Sequence, residues 1–389
     1  MGADRRAGHQ LRQGPRRVGG ADHRRRARLP GRAAGDPAAG PVLRGRRRPV
    51  RAGRRGAGAG RAEQHHGGPA DARGAPRRGG GGGQGGAVSP LRDAATRRLL
   101  AAGWRLGPHL GRRTRRVLTG LGAGAAHRLG GAPVEQLRHN LAVVTGTGPD
   151  ERLVRDALTS YTRMWLEVLS LPGWSREQVR AAVVTDPVGE SLLRREHARR
   201  GAVVALPHMA NWDLVGAWAC STGLPVTTVA EQLDDPEFAA FTRFREGLGM
   251  EVLSHRDPQV LARLLAAVEE GRVVCLMADR LMAGRGLDVR WPLPGGPRPV
   301  AMPPGPALVA RRSGALLLGL ACSYTGDRMR MRFSRPVEHR PGRDGLTAMT
   351  QQLADFFAGE VARHPQDWHV LQPFFGPPGA DPSSGGRPR

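Results

Sequence analysis

A histidine and an aspartate, His208 and Asp213, stand five positions apart in a segment that could carry acid–base chemistry. The pKa of an imidazole lies near working pH, so His208 could accept a proton from a substrate hydroxyl. A carboxylate on the other ring nitrogen would fix the tautomer and stabilise the imidazolium. A regular helix would separate the two side chains by about 140°, so both can face one cleft only where a strand gives way to a helix.

The nucleophile in such a site could be the hydroxyl of the substrate itself. No G-x-S-x-G segment occurs in the sequence, so the nucleophile of a serine hydrolase is missing. Helix-start amides and nearby arginines could stabilise an oxyanion. A simpler interpretation fits the spacing equally well, namely a buried histidine beside a helix-capping aspartate, and the H-x4-D pattern alone does not separate the two.

The segments around this pair alternate between short β-rich runs and helical runs, which predicts an α/β fold with a mostly buried central sheet flanked by helices. Predicted strands cover 202–206, 226–230, 273–277, 315–321 and 329–333. Predicted helices cover 211–221, 236–247, 258–270, 304–313 and 346–363. His208 would then follow a strand, at the carboxyl edge where open α/β sheets bind ligands.

The chain ahead of the sheet is predicted to be helical. Residues 91–130 interleave apolar side chains with arginine, as basic amphipathic helices do. Such helices suit an anionic membrane surface, or they are solvated faces over a core. We predict one catalytic domain over 91–376, with a helical part at 91–172, an α/β core at 200–335 and a C-terminal helix at 346–363.

The formal net charge of +26 is concentrated at the N-terminus. Residues 1–90 hold 21 Arg, five acidic residues and no aromatic residue, whereas residues 135–389 hold 30 Arg and 28 acidic residues. We expect a disordered Arg/Gly-rich tail over 1–90 and a second disordered tail at 377–389. An RNA-binding tail and a start codon assigned too early are alternatives for the first. The foldable part is nearly neutral, so we expect no nucleic-acid partner for it.

The cysteine count and the lengths of the apolar runs exclude several classes of protein. Three widely spaced cysteines cannot form a disulfide framework or a standard zinc site, and no metal is expected. No apolar run reaches the length of a membrane-spanning helix, and the N-terminus lacks the apolar segment of a secretory signal. We therefore expect an intracellular protein that can associate with a membrane surface.

Six blocks in chain order resemble the bacterial lipid A lauroyl-type acyltransferase family, which shares H-x4-D with glycerolipid acyltransferases. The resemblance covers residues from about 91 to 376 and is strongest to the branch that acylates phosphatidylinositol mannosides. Six ordered blocks are far more specific than one short motif. The blocks are Arg138-His139-Asn140-Leu141, Gly201–Asp213, Thr228–Glu231, Phe244–Met250, Cys275–Arg280 and His364–His369.

The resemblance implies an O-acyltransferase that moves a fatty acyl group from acyl-CoA to a mannose hydroxyl of a phosphatidylinositol mannoside. It implies a peripheral enzyme on the cytoplasmic face of the membrane that needs no cofactor besides the acyl-CoA co-substrate. His208 would be the base, Asp213 its orienting partner and Asp279 a second acid able to pair with His208. Another lipid acceptor and an acyl carrier protein donor stay open. Residues implied to line the substrate site are Asn211, Glu231, Arg245 and Arg280.

Overall fold

The structure is a computed structural model that describes residues 90–148, 150–230, 236–281, 286–342 and 344–376, the side chains at 90–97 and 236–238 excepted. The tails predicted at 1–90 and 377–389 lie outside these ranges, apart from Pro90, where the first helix begins.

Eleven α-helices lie within the described ranges. None of them is both long and apolar enough to cross a bilayer. The helices are α1 (Pro90–Leu106), α2 (Arg112–Leu129), α3 (Ala132–Thr145), α4 (Glu151–Ser170), α5 (Arg176–Ala181), α6 (Pro187–Arg200), α7 (Trp212–Ser221), α8 (Pro236–Gly247), α9 (Val260–Glu269), α10 (Gly305–Ser313) and α11 (Gly345–Arg363).

The strands of the described ranges form one large sheet and one hairpin. The large sheet has seven strands in the order β1-β9-β8-β2-β5-β3-β4, and every neighbouring pair is parallel except β8 with β9. The hairpin pairs β6 with β7. The strands are β1 (Val183–Val184), β2 (Ala202–Leu206), β3 (Val226–Ala230), β4 (Glu251–Ser254), β5 (Val273–Met277), β6 (Leu287–Trp291), β7 (Arg298–Met302), β8 (Leu316–Thr325) and β9 (Arg328–Phe333).

Helices cover both faces of the sheet, so its central strand is buried throughout. In β2, Val203 and Ala205 pack with residues of α9, α10 and α11. The alternate residues of β2, including Val204, pack with residues of α4 and α7. This arrangement confirms the predicted α/β class with a mostly buried sheet, because a parallel strand covered on both faces must be apolar at every position.

Three predicted strands, at 202–206, 226–230 and 273–277, have the bounds that the sequence indicated. The strand predicted at 315–321 continues to Thr325. The strands β1, β4, β6 and β7 were not predicted. The first two are very short, and Pro299 within β7 argues against a strand on sequence grounds alone.

The registers of β2 and β5 decide which side chains meet. The two strands are parallel, and Leu206 pairs with Met277 at their shared carboxyl end. The N–H of Ala278 then donates to the carbonyl of Leu206 at 2.8 Å, which keeps the two chains together past the sheet. The residues that follow therefore leave the sheet side by side, with His208 on one and Asp279 on the other.

Candidate active site

His208 and Asp279 meet at the carboxyl edge of the sheet. The Nδ1 atom of His208 lies 2.6 Å from Oδ1 of Asp279, and the His208 peptide N–H donates to Oδ2 at 2.9 Å. Asp279 is completely buried, whereas 19% of the His208 side chain is exposed. The other ring nitrogen of His208, Nε2, makes no hydrogen bond to any described residue, so it is the nitrogen that a substrate can use.

Asp213 has a different partner from the one predicted. Its Oδ1 accepts from Nε of Arg245 at 2.6 Å, and its Oδ2 accepts from Nη2 at 3.3 Å. Burial lowers the pKa of Arg245, but the attraction and the hydrogen bond of Asp213 together outweigh burial and raise it. Asp279, rather than Asp213, therefore stands where an orienting carboxylate must stand. The carboxylate comes from the neighbouring parallel strand and not from the helix that follows His208.

The residues predicted to bind substrate differ in their placement. Asn211 is completely buried and caps α7, accepting from the N–H of Leu214 at 3.0 Å and donating to Glu167 at 3.2 Å. Its side chain is thus bonded within the protein, and its predicted contact with substrate stays a prediction. Arg280 follows Asp279 directly and is half-buried. Glu231 lies outside the described residues, so its predicted role stays a prediction.

A second segment, 367–369, fixes the loop that carries His208. The peptide N–H of His369 donates to the carbonyl of His208 at 2.8 Å, and the N–H of Ala210 donates to the carbonyl of Asp367, also at 2.8 Å. Met209 and Trp368 form an antiparallel bridge. Ala210 has a φ of 48°, a left-handed conformation that alanine rarely adopts. The loop is held in this strained shape because segment 367–369 bonds it on both sides of the strained residue.

The electrostatics keep the carboxylate of Asp279 charged. Burial alone would raise the pKa of Asp279, but attraction to His208 and hydrogen bonds from its ring and peptide N–H lower it. The indole N–H of Trp368 adds to this effect by donating to Oδ2 at 3.0 Å. Asp279 is thus an ionised acceptor whose orientation three donors fix.

His369 is a second histidine close to His208, and it stays neutral. Burial, and to a lesser extent the nearby His208, lowers the pKa of His369 to about 3. The Ser160 hydroxyl donates to Asp367 at 2.6 Å, so it must accept from Nε2 of His369 at 2.9 Å. A neutral His369 adds no positive charge that would oppose proton uptake by His208.

Comparison with known proteins assigns the chain to a family. Residues 89–376 match the family model described as bacterial lipid A biosynthesis acyltransferase. The chain belongs to this family. The matched span contains His208, Asp279 and segment 367–369, so the pair at the sheet edge lies inside an acyltransferase domain.

Individual relatives of this acyltransferase agree with the assignment. A phosphatidylinositol mannoside acyltransferase from Mycolicibacterium smegmatis is 39% identical over 294 residues, which is 73% of this chain and 92% of the relative. A phosphatidylinositol mannoside acyltransferase from Mycobacterium tuberculosis is 38% identical over 297 residues, covering 73% of this chain and 90% of the relative. The resemblance inferred from the ordered blocks is therefore confirmed.

One residue that supports the candidate site, Glu167, was not predicted from the sequence. Glu167 on α4 accepts from the Tyr324 hydroxyl at 2.9 Å, besides its bond to Asn211. In the sequence, Glu167 is one acidic residue within a helix, and nothing there indicates that it contacts Tyr324 or Asn211. The block His364–His369 was recognised but carried no assigned role, although a Trp beside a His in a matched block was a usable signal.

Trp368 offers a test of how the carboxylate is positioned. Trp368→Phe removes the indole donor to Asp279, a hydrogen bond to a charged group worth about 1–3 kcal/mol. We expect kcat for acyl transfer to fall by about tenfold to a hundredfold, with KM changed less than twofold. Steady-state kinetics at several acceptor concentrations measures both.

The matched control for this prediction is Trp291→Phe. Trp291 is equally buried and its ring stacks on Trp368 at 6.1 Å, but it makes no hydrogen bond to Asp279. If both substitutions lower kcat equally, the effect arises from packing and the positioning role is wrong.

Proposed function

We propose that this chain transfers a fatty acyl group from acyl-CoA to a mannose hydroxyl of a phosphatidylinositol mannoside. The observation that carries the proposal is the His208–Asp279 pair, with Nε2 of His208 available to a substrate, inside a domain of this acyltransferase family. The names of the mycobacterial relatives support the acceptor. A sugar hydroxyl is the acceptor class for which a histidine base is suited, because the hydroxyl must lose its proton to attack a thioester.

The reaction needs one proton to move to and from His208. Nε2 of His208 takes the proton of the mannose hydroxyl while its oxygen attacks the carbonyl carbon of the thioester. Asp279 stabilises the resulting imidazolium through Nδ1. The carbon–sulfur bond then breaks, and the thiolate of CoA receives the proton from Nε2. The acyl ester and free CoA leave, and no acyl-enzyme intermediate is formed.

The start of α7 is the expected source of oxyanion stabilisation. The peptide N–H of Leu214 donates to the Asn211 side chain, whereas the peptide N–H groups of Trp212 and Asp213 have no hydrogen-bond acceptor among the described residues. Such first-turn amides favour negative charge at a helix N-terminus. The ring of Trp212 lies 5.2 Å from that of His208, so this helix start is close to the base.

A membrane surface is the proposed site of action, and α1 and α2 are its proposed contacts. Both helices expose large apolar side chains, with exposed arginines between them. Apolar side chains enter the interface while arginines bind anionic headgroups. The cytoplasmic face is proposed because acyl-CoA is available there. The exposed apolar residues of α1 and α2 are Leu99, Leu106, Val117, Leu118, Leu121 and Leu129.

If α2 contacts the membrane, a charge on its exposed apolar face should weaken binding to lipid vesicles. Leu121→Glu should weaken binding to phosphatidylcholine vesicles containing phosphatidylinositol by about tenfold, because burying one leucine side chain is worth about 1.5–3 kcal/mol. Val188→Glu on α6 makes the same change in charge at a side chain that is 79% exposed, and it should change binding less than twofold. Equal losses in cosedimentation with the two variants would contradict the assignment of the surface.

Mass spectrometry of products tests the proposed function directly. Purified full-length protein is incubated with defined phosphatidylinositol mannosides and either palmitoyl-CoA or palmitoyl–acyl carrier protein. A mannose ester formed from the CoA thioester supports the proposal. Transfer only from the carrier protein, or only to an acceptor without mannose, would instead identify another activity of the same family.

A further inference from the structure

A groove beside α4 contains a cluster of arginines that have no part in the proposed acyl transfer. It lies between the start of α2, the C-terminal half of α4 and the turn that joins β8 to β9. Two cavities, of about 350 and 430 Å³, lie along it. Both are lined by Arg112, Arg115, Trp174 and Asp327.

Arginines outnumber carboxylates among the residues that line this groove. Of the two carboxylates that line it, Glu167 is buried and already bonded to Arg163 and Tyr324. The other, Asp327, is exposed and is shared by Arg112 and Arg116. One carboxylate therefore has to serve two guanidinium groups, which leaves the groove with excess positive charge.

Arg115 is half-buried in this groove and is held there by a carbonyl and an aromatic ring. Its Nη1 donates to the carbonyl of Leu110 at 3.2 Å, and its guanidinium lies 4.7 Å above the ring of Trp174. It makes no ion pair with any carboxylate of the described residues. Burial lowers the pKa of Arg115; Glu167 partly opposes this effect, and the neighbouring Arg112 adds to it.

The placement of Arg115 matters more than the number of arginines. The chain has no Lys, so arginines are common over its whole surface. An exposed arginine costs little to keep charged, whereas a half-buried guanidinium beside another cation is stabilised by an incoming anion. The stacked ring and the carbonyl also fix the orientation of Arg115 before any ligand arrives, which lowers the entropy lost on binding.

We propose that this groove binds a phosphate group, with Arg115 at its centre and with Arg112 and Arg116 exchanging Asp327 for phosphate oxygens. A phosphate offers three or more acceptor oxygens, so it can satisfy converging guanidinium forks that one carboxylate cannot. The apolar part of the lining, including Pro108 and Leu110, suits the organic group attached to that phosphate. The ligand is a phosphate ester, either soluble or the headgroup of a lipid.

The test measures binding, not turnover, so its readout does not depend on whether acyl transfer is observed. Full-length protein is titrated with adenosine 3′,5′-bisphosphate in one arm. In the other arm it is titrated with phosphatidylcholine vesicles containing phosphatidylinositol. Arg115→Gln should weaken binding at least tenfold in one arm or in both. Arg263→Gln on α9, which removes an exposed charge elsewhere, should change it less than twofold.

Asp327→Asn supplies a result of opposite sign. It removes the carboxylate that competes for Arg112 and Arg116, so binding should tighten at least threefold. A misfolded variant cannot give this gain, which protects the test if Arg115→Gln proves unstable.

The arms also separate the two sources of phosphate. Effects confined to the bisphosphate identify a soluble phosphate ester, and effects confined to vesicles identify a lipid headgroup. The proposal is overturned if neither probe binds, or if Arg115→Gln and Asp327→Asn leave binding unchanged in both arms.

Discussion

His208→Gln should lower the rate of acyl transfer by about 10²–10⁴-fold, the usual contribution of a positioned acid–base group. Glutamine fills a similar volume, has an amide that can donate to Asp279 and keeps the backbone contacts of the loop, but it cannot carry a proton between the hydroxyl and the thiolate. The measurement is kcat at saturating donor and acceptor, with product followed by mass spectrometry. Binding of both substrates should change little, because the lost interaction belongs to the transition state.

His109→Gln is the control for this prediction. His109 is exposed in the short turn between α1 and α2, and it should leave kcat within twofold of the wild-type value. If His208→Gln keeps more than a tenth of the wild-type rate while folded, the base lies elsewhere and the proposed mechanism fails.

Much of the fold followed from sequence because its main signals are local. The buried strands 202–206, 226–230 and 273–277 are apolar runs covered by helices on both faces, and such runs can be recognised without knowing their neighbours. The hairpin β6–β7 could not be recognised in this way. Its pairing depends on contacts between strands and with α11, and Pro299 obscures its alternation of exposed and buried residues.

The contacts of the candidate site depend on the fold more than its residue types do. His208 was identified because its residue type and its place after a strand are both visible in the chain. The family resemblance implied Asp279 as a second acid able to pair with His208, and the two meet because β2 lies beside β5 in the folded sheet. Asp213 was favoured by proximity in sequence, yet Arg245 from α8 occupies both of its oxygens. Asn211 was predicted to line the substrate site, and the sequence did not show that it is buried and caps α7.

Asp279→Asn is the second substitution with a large expected effect. An asparagine amide would donate to Nδ1 of His208, which places the ring proton on Nε2, the nitrogen that has to accept the hydroxyl proton. The wrong tautomer and the lost stabilisation of imidazolium should lower kcat by about 10²–10⁴-fold. In the wild-type protein the pKa of Asp279 is lowered by folding. The stabilisation from its charge is therefore fully present above about pH 4, and it is lost as the pH falls through the pKa of Asp279 in the folded protein.

Asp213→Asn is the comparison that separates chemistry from stability. It leaves the Arg245 guanidinium with only a neutral partner where Asp213 is 4% exposed, and breaking a buried pair typically costs about 3–5 kcal/mol. We expect a thermal midpoint several degrees lower and, in the folded fraction, a kcat reduced far less than by Asp279→Asn. Thermal unfolding and kcat per folded molecule measure the two effects. The opposite result, a folded Asp213→Asn without activity beside an active Asp279→Asn, would restore Asp213 as the partner of His208.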